Sequence, residues 1–240
     1  MNEKDLITFS NPKSPISEAY RVLRTNIQYS SVDNPIKVVT VTSAGPGEGK
    51  TTTSINIAIA FVQTGYKVLV IDGDLRKPKV HKVMEMENHN GLVNILANKD
   101  DYKKYVKKSE IEGLDIITSG AIPPNPSELL ESNQMKLLIQ TIREDYNLVI
   151  IDAPPVGSVT DAAILSTIVD GTILVAASGV VEIDSLKRSK ELLQKVNANL
   201  IGVVLNKLDK NSKGNSYYYY YYYYGEQGTP SKKKNRGKAK

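Results

Sequence analysis

Residues 37–62, KVVTVTSAGPGEGKTTTSINIAIAFV, decide the fold. The run 37–42 is short and Val-rich, as expected of a strand buried on both faces. Ala44-Gly45-Pro46-Gly47-Glu48-Gly49-Lys50-Thr51 follows directly and fits the phosphate-loop pattern G-x-x-x-x-G-K-[ST], with Ala in the first position. Ile55, Ala58, Ile59 and Val62 then recur at helical spacing, and Gly65 is placed to stop that helix. A dinucleotide fingerprint fails, because Lys50 stands where its last glycine belongs.

The loop's chemistry follows from its composition. Glycines let backbone N–H groups turn toward phosphates, and the helix N-terminus behind them adds a positive dipole. Lys50 is expected to reach the β- and γ-phosphates of ATP, and the Thr51 hydroxyl to ligate Mg²⁺. Gly45, Gly47, Glu48, Gly49 and Thr52 complete the expected nucleotide cradle.

Working outward, four further apolar runs read as strands: 67–72 (KVLVID), 147–152 (NLVIID), 172–177 (TILVAA) and 199–205 (NLIGVVL). A sixth candidate is 114–118 (LDIIT). Helical patterns lie between them, so the fold class is α/β: a doubly wound, mainly parallel sheet with helices on both faces, of the P-loop NTPase type. Helical connections bring the C-terminal ends of the strands to one edge, where ligands bind in such folds. Three acids fall there. Asp152 ends LVIID and is placed to hold Mg²⁺ through water, or else to serve a strand-end turn. Asp72 and Asp74, in VIDGDLRKP, either tune metal and substrate protonation or pair locally with Arg76 and Lys77.

Composition narrows the function. The 240 residues include no cysteine, which excludes disulfide frameworks, Cys-based zinc sites and a Cys nucleophile. The two histidines, His81 and His89, argue against a His-rich metal site and read as surface residues. No signal peptide and no apolar run near ~18 residues is visible, so a soluble, cytoplasmic chain is expected. The net charge of +5 is unevenly placed: residues 209–240 carry eight basic and two acidic residues, leaving 23 basic and 24 acidic in 1–208. The body is near neutral, so no nucleic-acid partner is expected. The tail holds eight consecutive tyrosines, Tyr217, Tyr218, Tyr219, Tyr220, Tyr221, Tyr222, Tyr223 and Tyr224, in low-complexity sequence expected to be disordered.

Together the phosphate loop, VIDGDLR (70–76) and VIIDAP (149–154) resemble the Walker A, A′ and B set of bacterial tyrosine kinases that control capsule and exopolysaccharide synthesis. Glu18-x-x-Arg21-x-x-Arg24, the segment SGAIPPNPSELL (119–130) and the tyrosine cluster extend the resemblance over nearly the whole chain. It resembles the type in which the kinase is a polypeptide separate from its transmembrane activator.

The resemblance implies catalytic roles for Lys50, Asp72 and Asp74, with Asp72 as candidate base for a tyrosine hydroxyl. It implies Mg²⁺ held by Thr51, Asp74 and Asp152, and trans autophosphorylation of tyrosines 217–224. It also implies a transmembrane activator of the polysaccharide co-polymerase type, a phosphotyrosine phosphatase as a partner, and peripheral membrane association.

On a helix, Glu18, Arg21 and Arg24 span an arc of roughly 120°, opposite Ala19, Val22, Leu23 and Ile27. Physics alone reads a solvated charged face; the resemblance implies a subunit contact in a ring-shaped homo-oligomer. Asn206 is either a strand-end turn or, by resemblance, a contact to the nucleotide base. Asn125-Pro126-Ser127-Glu128 reads as a helix start.

The expected organisation is an oligomerisation helix segment in 1–35, a kinase domain in 36–208 and the tail 209–240. The alternative is a deviant-Walker partition or positioning ATPase that binds DNA or membrane. Its signature lysine is absent, since Gly45 occupies that position. A third possibility is that the tail is only an adhesive or lipid-binding appendage.

Overall fold

The structure, a computed structural model, describes residues 6–31 and 35–208. The tyrosine run 217–224 and the rest of the tail lie outside the described residues. The chain opens with α1 (Ile7–Ser10) and α2 (Pro15–Gln28), then β1 (Val38–Ser43), α3 (Lys50–Val62) and β2 (Val68–Asp72). Next come α4 (Val80–Val83), α5 (Leu92–Asn98), a 3-10 turn (Tyr102–Tyr105), β3 (Lys107–Lys108) and β4 (Leu114–Ile117). α6 (Pro126–Glu131), α7 (Asn133–Asp145), β5 (Leu148–Asp152), α8 (Asp161–Ser166), β6 (Gly171–Ala177), α9 (Ile183–Lys195) and β7 (Leu200–Asn206) complete it.

One seven-stranded sheet runs in the order β3-β4-β2-β5-β1-β6-β7. Every pairing is parallel except β3 with β4. The expected doubly wound sheet is therefore present, and the sixth candidate, 114–118, forms β4 over Leu114–Ile117. The two-residue β3 is an addition that its polar Lys107-Lys108 gave no reason to expect.

Side chains alternate between two cores. Along β5, Val149 and Ile151 join one cluster with Leu138 and Ile142 of α7. Leu148 and Ile150 join the other, with Ile55 and Ile59 of α3. That division explains why the strands read as continuous apolar runs: both faces are covered. α3 itself is buried almost all round, including Ile57, Ala60 and Phe61, because α1 and α2 cover its outer side.

The helices within 1–35 therefore belong to the same core as the sheet. Leu6, Tyr20 and Ile27 share a cluster with α3. α2 begins as its sequence dictates, with Ser14 Oγ accepting the Ile16 N–H and Pro15 in the first turn. Its buried side is Ser17, Tyr20 and Ile27, while Ala19 is exposed. The expected apolar face, Ala19–Val22–Leu23–Ile27, is thus rotated toward Tyr20 and Arg24.

Candidate active site

β2, β5 and β1 are neighbours, so their C-terminal ends bring Asp72, Asp152 and the phosphate loop together. Asp72 and Asp152 stand side by side in register. Lys50, first residue of α3, extends its Nζ to 3.0 Å from Asp74 Oδ2 and 3.5 Å from Asp152 Oδ2. Thr51 Oγ1 donates to Asp152 Oδ2 at 2.6 Å, and Ser54 Oγ approaches Asp152 Oδ1 at 3.5 Å. Lys50, Thr51, Asp72, Asp74 and Asp152 thus form one buried cluster.

The acids differ in their surroundings. Asp72 Oδ2 accepts the backbone N–H groups of Lys79 (3.1 Å) and Val80 (3.0 Å); Oδ1 keeps only the Asp74 N–H at 3.3 Å. Burial, then the adjacent Asp152 carboxylate, push Asp72 up to about 8. Burial also raises Asp152, against the pull of Lys50 and Thr51. For Lys50 burial acts to lower the ammonium's pKa, but Asp152, Asp74 and Asp72 together outweigh it and raise it. The lysine is held charged.

Asp74 is no simple partner of its neighbours. Its Oδ1 accepts the backbone N–H of Lys77 at 2.9 Å, whereas the Arg76 guanidinium turns away to Asp161. Nε donates to Asp161 Oδ2 at 2.9 Å and an Nη to Oδ1 at 3.0 Å, and the same Nη reaches Ser127 Oγ at 3.1 Å. This bidentate pair ties the segment after β2 to α8 and to the start of α6. The local pairing of Asp72 and Asp74 with the Arg76 side chain does not form.

The loop has its own brace. The Glu48 carboxylate is buried and accepts the Ala177 N–H at the end of β6 (3.0 Å) and the Gly45 N–H. Glu48 was expected as a nucleotide contact; in this structure its side chain holds the loop to the sheet. Gly47 and Gly49 take positive φ, which glycine alone adopts freely. Asn206 Nδ2 donates to the Glu48 carbonyl at 2.9 Å, placing that residue beside the loop.

The donor set suits Mg²⁺. Thr51, Asp74 and Asp152 offer only hard oxygen ligands. Among the described residues no cluster of three His, Cys, Asp or Glu side chains is poised to cage a metal. That fits an ion held by one or two carboxylates together with substrate phosphates.

Elsewhere the expectations divide. Glu18 and Arg21 pair at 2.7 Å on the surface of α2. Arg24 does not share that face: an Nη donates to the Ala60 carbonyl of α3 at 3.2 Å, and its Nε is buried without a partner. The reason is the rotated face of α2, which leaves Arg24 over α3. Asn125 precedes α6 as expected, though its amide bonds the Glu128 carboxylate rather than capping the backbone. His89 is exposed, but His81 is half-buried with an unpartnered Nδ1, and burial lowers its pKa. Spacing gave no sign of the Glu48 brace or the Arg76–Asp161 pair, whose partners lie 129 and 85 residues apart.

Comparison with known proteins agrees with this geometry. A family model described as an AAA domain matches residues 36–202. The chain is 45% identical over 217 residues to the tyrosine-protein kinase YwqD of Bacillus subtilis, covering 90% of this chain and 92% of that one. It is 43% identical to the tyrosine-protein kinase CpsD of Streptococcus pneumoniae, covering 80% of this chain and 84% of that one. The crystal structure of the chimerical protein CapA2B2 superposes with a TM-score of 0.83 at 43% identity, covering 86% and 91%. MinD of Pyrococcus horikoshii, at 22% identity and a TM-score of 0.62 over 73% and 72% of the two chains, shares the fold alone. At 43–45% identity over most of its length to tyrosine-protein kinases, the chain belongs to the bacterial tyrosine-protein kinases.

Proposed function

We propose that this kinase transfers the γ-phosphoryl group of Mg·ATP to the tyrosines 217–224 of a neighbouring copy, and so regulates capsular or exopolysaccharide synthesis and export. The observation that carries the reading is the buried cluster of Lys50, Thr51, Asp74 and Asp152 at the loop's mouth. Phosphoryl transfer asks mainly for positioning and charge neutralisation, and this cluster supplies both.

Each residue has a part. Lys50, held charged, neutralises the phosphate in transfer. Thr51, Asp74 and Asp152 hold Mg²⁺, which supplies further neutralisation when bound. Asp72 is the base: Oδ1, with one 3.3 Å contact, accepts the tyrosine proton as the new O–P bond forms and ADP leaves. Burial and the neighbouring Asp152 carboxylate raise this group, which makes its ionised form a stronger proton acceptor than an ordinary aspartate.

The tail is both substrate and switch. Each phosphate adds about −1.5 to −2 charges, so modification of a few tyrosines cancels the tail's basic charge. The reversal repels tails from one another and from anionic membrane, loosening a ring-shaped assembly. This reading assigns Glu18 and Arg21, paired on the surface of α2, to such a ring. The remaining partners are a transmembrane activator of the polysaccharide co-polymerase type, which brings the kinase to the cytoplasmic membrane face, and a phosphotyrosine phosphatase that resets the tail. No helix of the described residues is long and apolar enough to cross a membrane.

The test mixes a Lys50→Met chain carrying an intact tail with an active chain ending at Leu208. Phosphotyrosine on the inactive chain's tail supports transfer in trans. An unmodified tail, while full-length active protein labels itself, contradicts it.

A further inference from the structure

Two side chains at the end of β7 fasten the phosphate loop from outside. Asn206 Nδ2 donates to the Glu48 carbonyl at 2.9 Å, and Lys207 Nζ donates to the Gly47 carbonyl at 2.7 Å. These are consecutive carbonyls of the loop. The other end of the Asn206 amide accepts the Lys207 N–H at 2.8 Å, so its orientation is set from both sides. Asn206 is in turn anchored to the sheet, its carbonyl accepting the Ser178 N–H at 2.8 Å. Gly49 permits the approach: a Cβ there would stand 2.1 Å from Asn206 Nδ2.

We propose that Asn206 and Lys207 are positioning residues for phosphate binding, which pin the Gly47 and Glu48 carbonyls and thereby aim the Glu48 and Gly49 N–H groups at the nucleotide. The peptide bond supplies the logic. It is planar and trans, with C=O and N–H pointing in opposite directions, and no cis peptide occurs among the described residues. Holding a carbonyl toward β7 turns the next residue's N–H the other way without touching it.

A glycine-rich loop has few side chains to restrain it, and Gly47 and Gly49 are free to rotate. Donors fixed before the anion arrives cost less to organise on binding. The Glu48 carboxylate works in the same sense, bonding Gly45 and Ala177, the latter beside Asn206 in the register of β6 and β7. Thus Glu48 is held by its side chain and by its backbone. Lys207 adopts φ 56°, an uncommon left-handed conformation for a lysine, as its side chain doubles back to the loop.

The inference rests on the loop being the nucleotide site, but it gives Asn206 a different task from contacting the base. A base contact distinguishes adenine from guanine; a backbone clamp acts on any polyphosphate. Calorimetric titration of the full chain with Mg·ADP and Mg·GDP separates the two. Thermal melts confirm that Asn206→Ala, Lys207→Met and Lys207→Arg remain folded.

Binding of Mg·ADP to the unaltered chain tests the nucleotide site itself. Given that binding, Asn206→Ala and Lys207→Met should each weaken both nucleotides about three- to tenfold, as for one lost hydrogen bond. The ADP-to-GDP ratio should stay at its original value, and Lys207→Arg should restore binding. The clamp is overturned if Asn206→Ala abolishes ADP preference while GDP binding is unchanged, or if Lys207→Met binds ADP normally. A Lys207→Met defect that disappears in high salt identifies a remote charge effect and overturns that half of the proposal.

Discussion

Removing Arg76 strands a carboxylate. The Asp161 side chain has no exposed surface, whereas that of Arg76 is 37% exposed. Two guanidinium hydrogen bonds, at 2.9 and 3.0 Å, satisfy the acid. Breaking a buried ion pair from one side costs about 3–5 kcal/mol. The open flank of Arg76 lets water replace part of what is lost, which brings the cost of Arg76→Ala to about 2–3 kcal/mol, near the value of hydrogen bonds to charged groups. For a chain of this size, that lowers Tm by about 4–12 °C.

Asp161→Ala frees Arg76 to the solvent instead and should cost about 1 kcal/mol. The double variant should then behave like Asp161→Ala, giving a coupling of about 2–3 kcal/mol in a double-mutant cycle. Urea unfolding of the four proteins is the assay. Because the pair anchors the segment carrying Asp74, kcat should fall in Arg76→Ala while nucleotide binding holds. A coupling below about 0.5 kcal/mol, the scatter of independent sites, would refute the reasoning.

Asp72, raised from 3.8 to about 8, holds its proton more tightly in the folded than in the unfolded chain. Its contribution to ligand-free stability is therefore full below 3.8 and is lost as pH rises through about 8. Asp72→Asn should flatten that slope in melts across pH, and an unchanged slope contradicts the assignment. On α2, Glu18→Ala with Arg21→Ala should cost less than about 1 kcal/mol of stability, as an exposed pair does. Light scattering should show a smaller assembly; an unchanged one removes the pair from any interface. Glu48→Gln sets an amide N–H against the Ala177 or Gly45 donor and should weaken Mg·ADP binding about tenfold, read by titration. Normal affinity would show that the brace is dispensable.

The strands and phosphate loop were legible because buried parallel strands and glycine-rich anion loops each impose a local pattern. Lys50, Thr51, Asp72, Asp74 and Asp152 could be placed together because strand ends share one edge. What escaped was set by tertiary approach. Glu48 gave no local hint that it would reach the end of β6, nor Arg76 that it would cross to α8. α2 was misread because its apolar residues are spread round the helix. Either Ala19 and Val22 or Tyr20 and Leu23 continue toward Ile27, and only the docked surface of α3 selects the second. That choice carried Arg24 inward. His81 departs from the surface reading too, being half-buried, which its place in the sequence did not indicate.

The central claim is that the Lys50 cluster drives phosphoryl transfer to tyrosine. The direct measurement is mass-spectrometric mapping of phosphate after incubating full-length protein, bound to the cytoplasmic segment of a transmembrane activator, with Mg·ATP. A Lys50→Met chain of proven fold is treated in parallel. The account predicts phosphotyrosine within 217–224 of the unaltered chain and at least a hundredfold less in Lys50→Met, the scale on which such electrostatic groups act. Equal phosphotyrosine in the folded Lys50→Met protein, or free phosphate as the sole product of the unaltered chain, would contradict it.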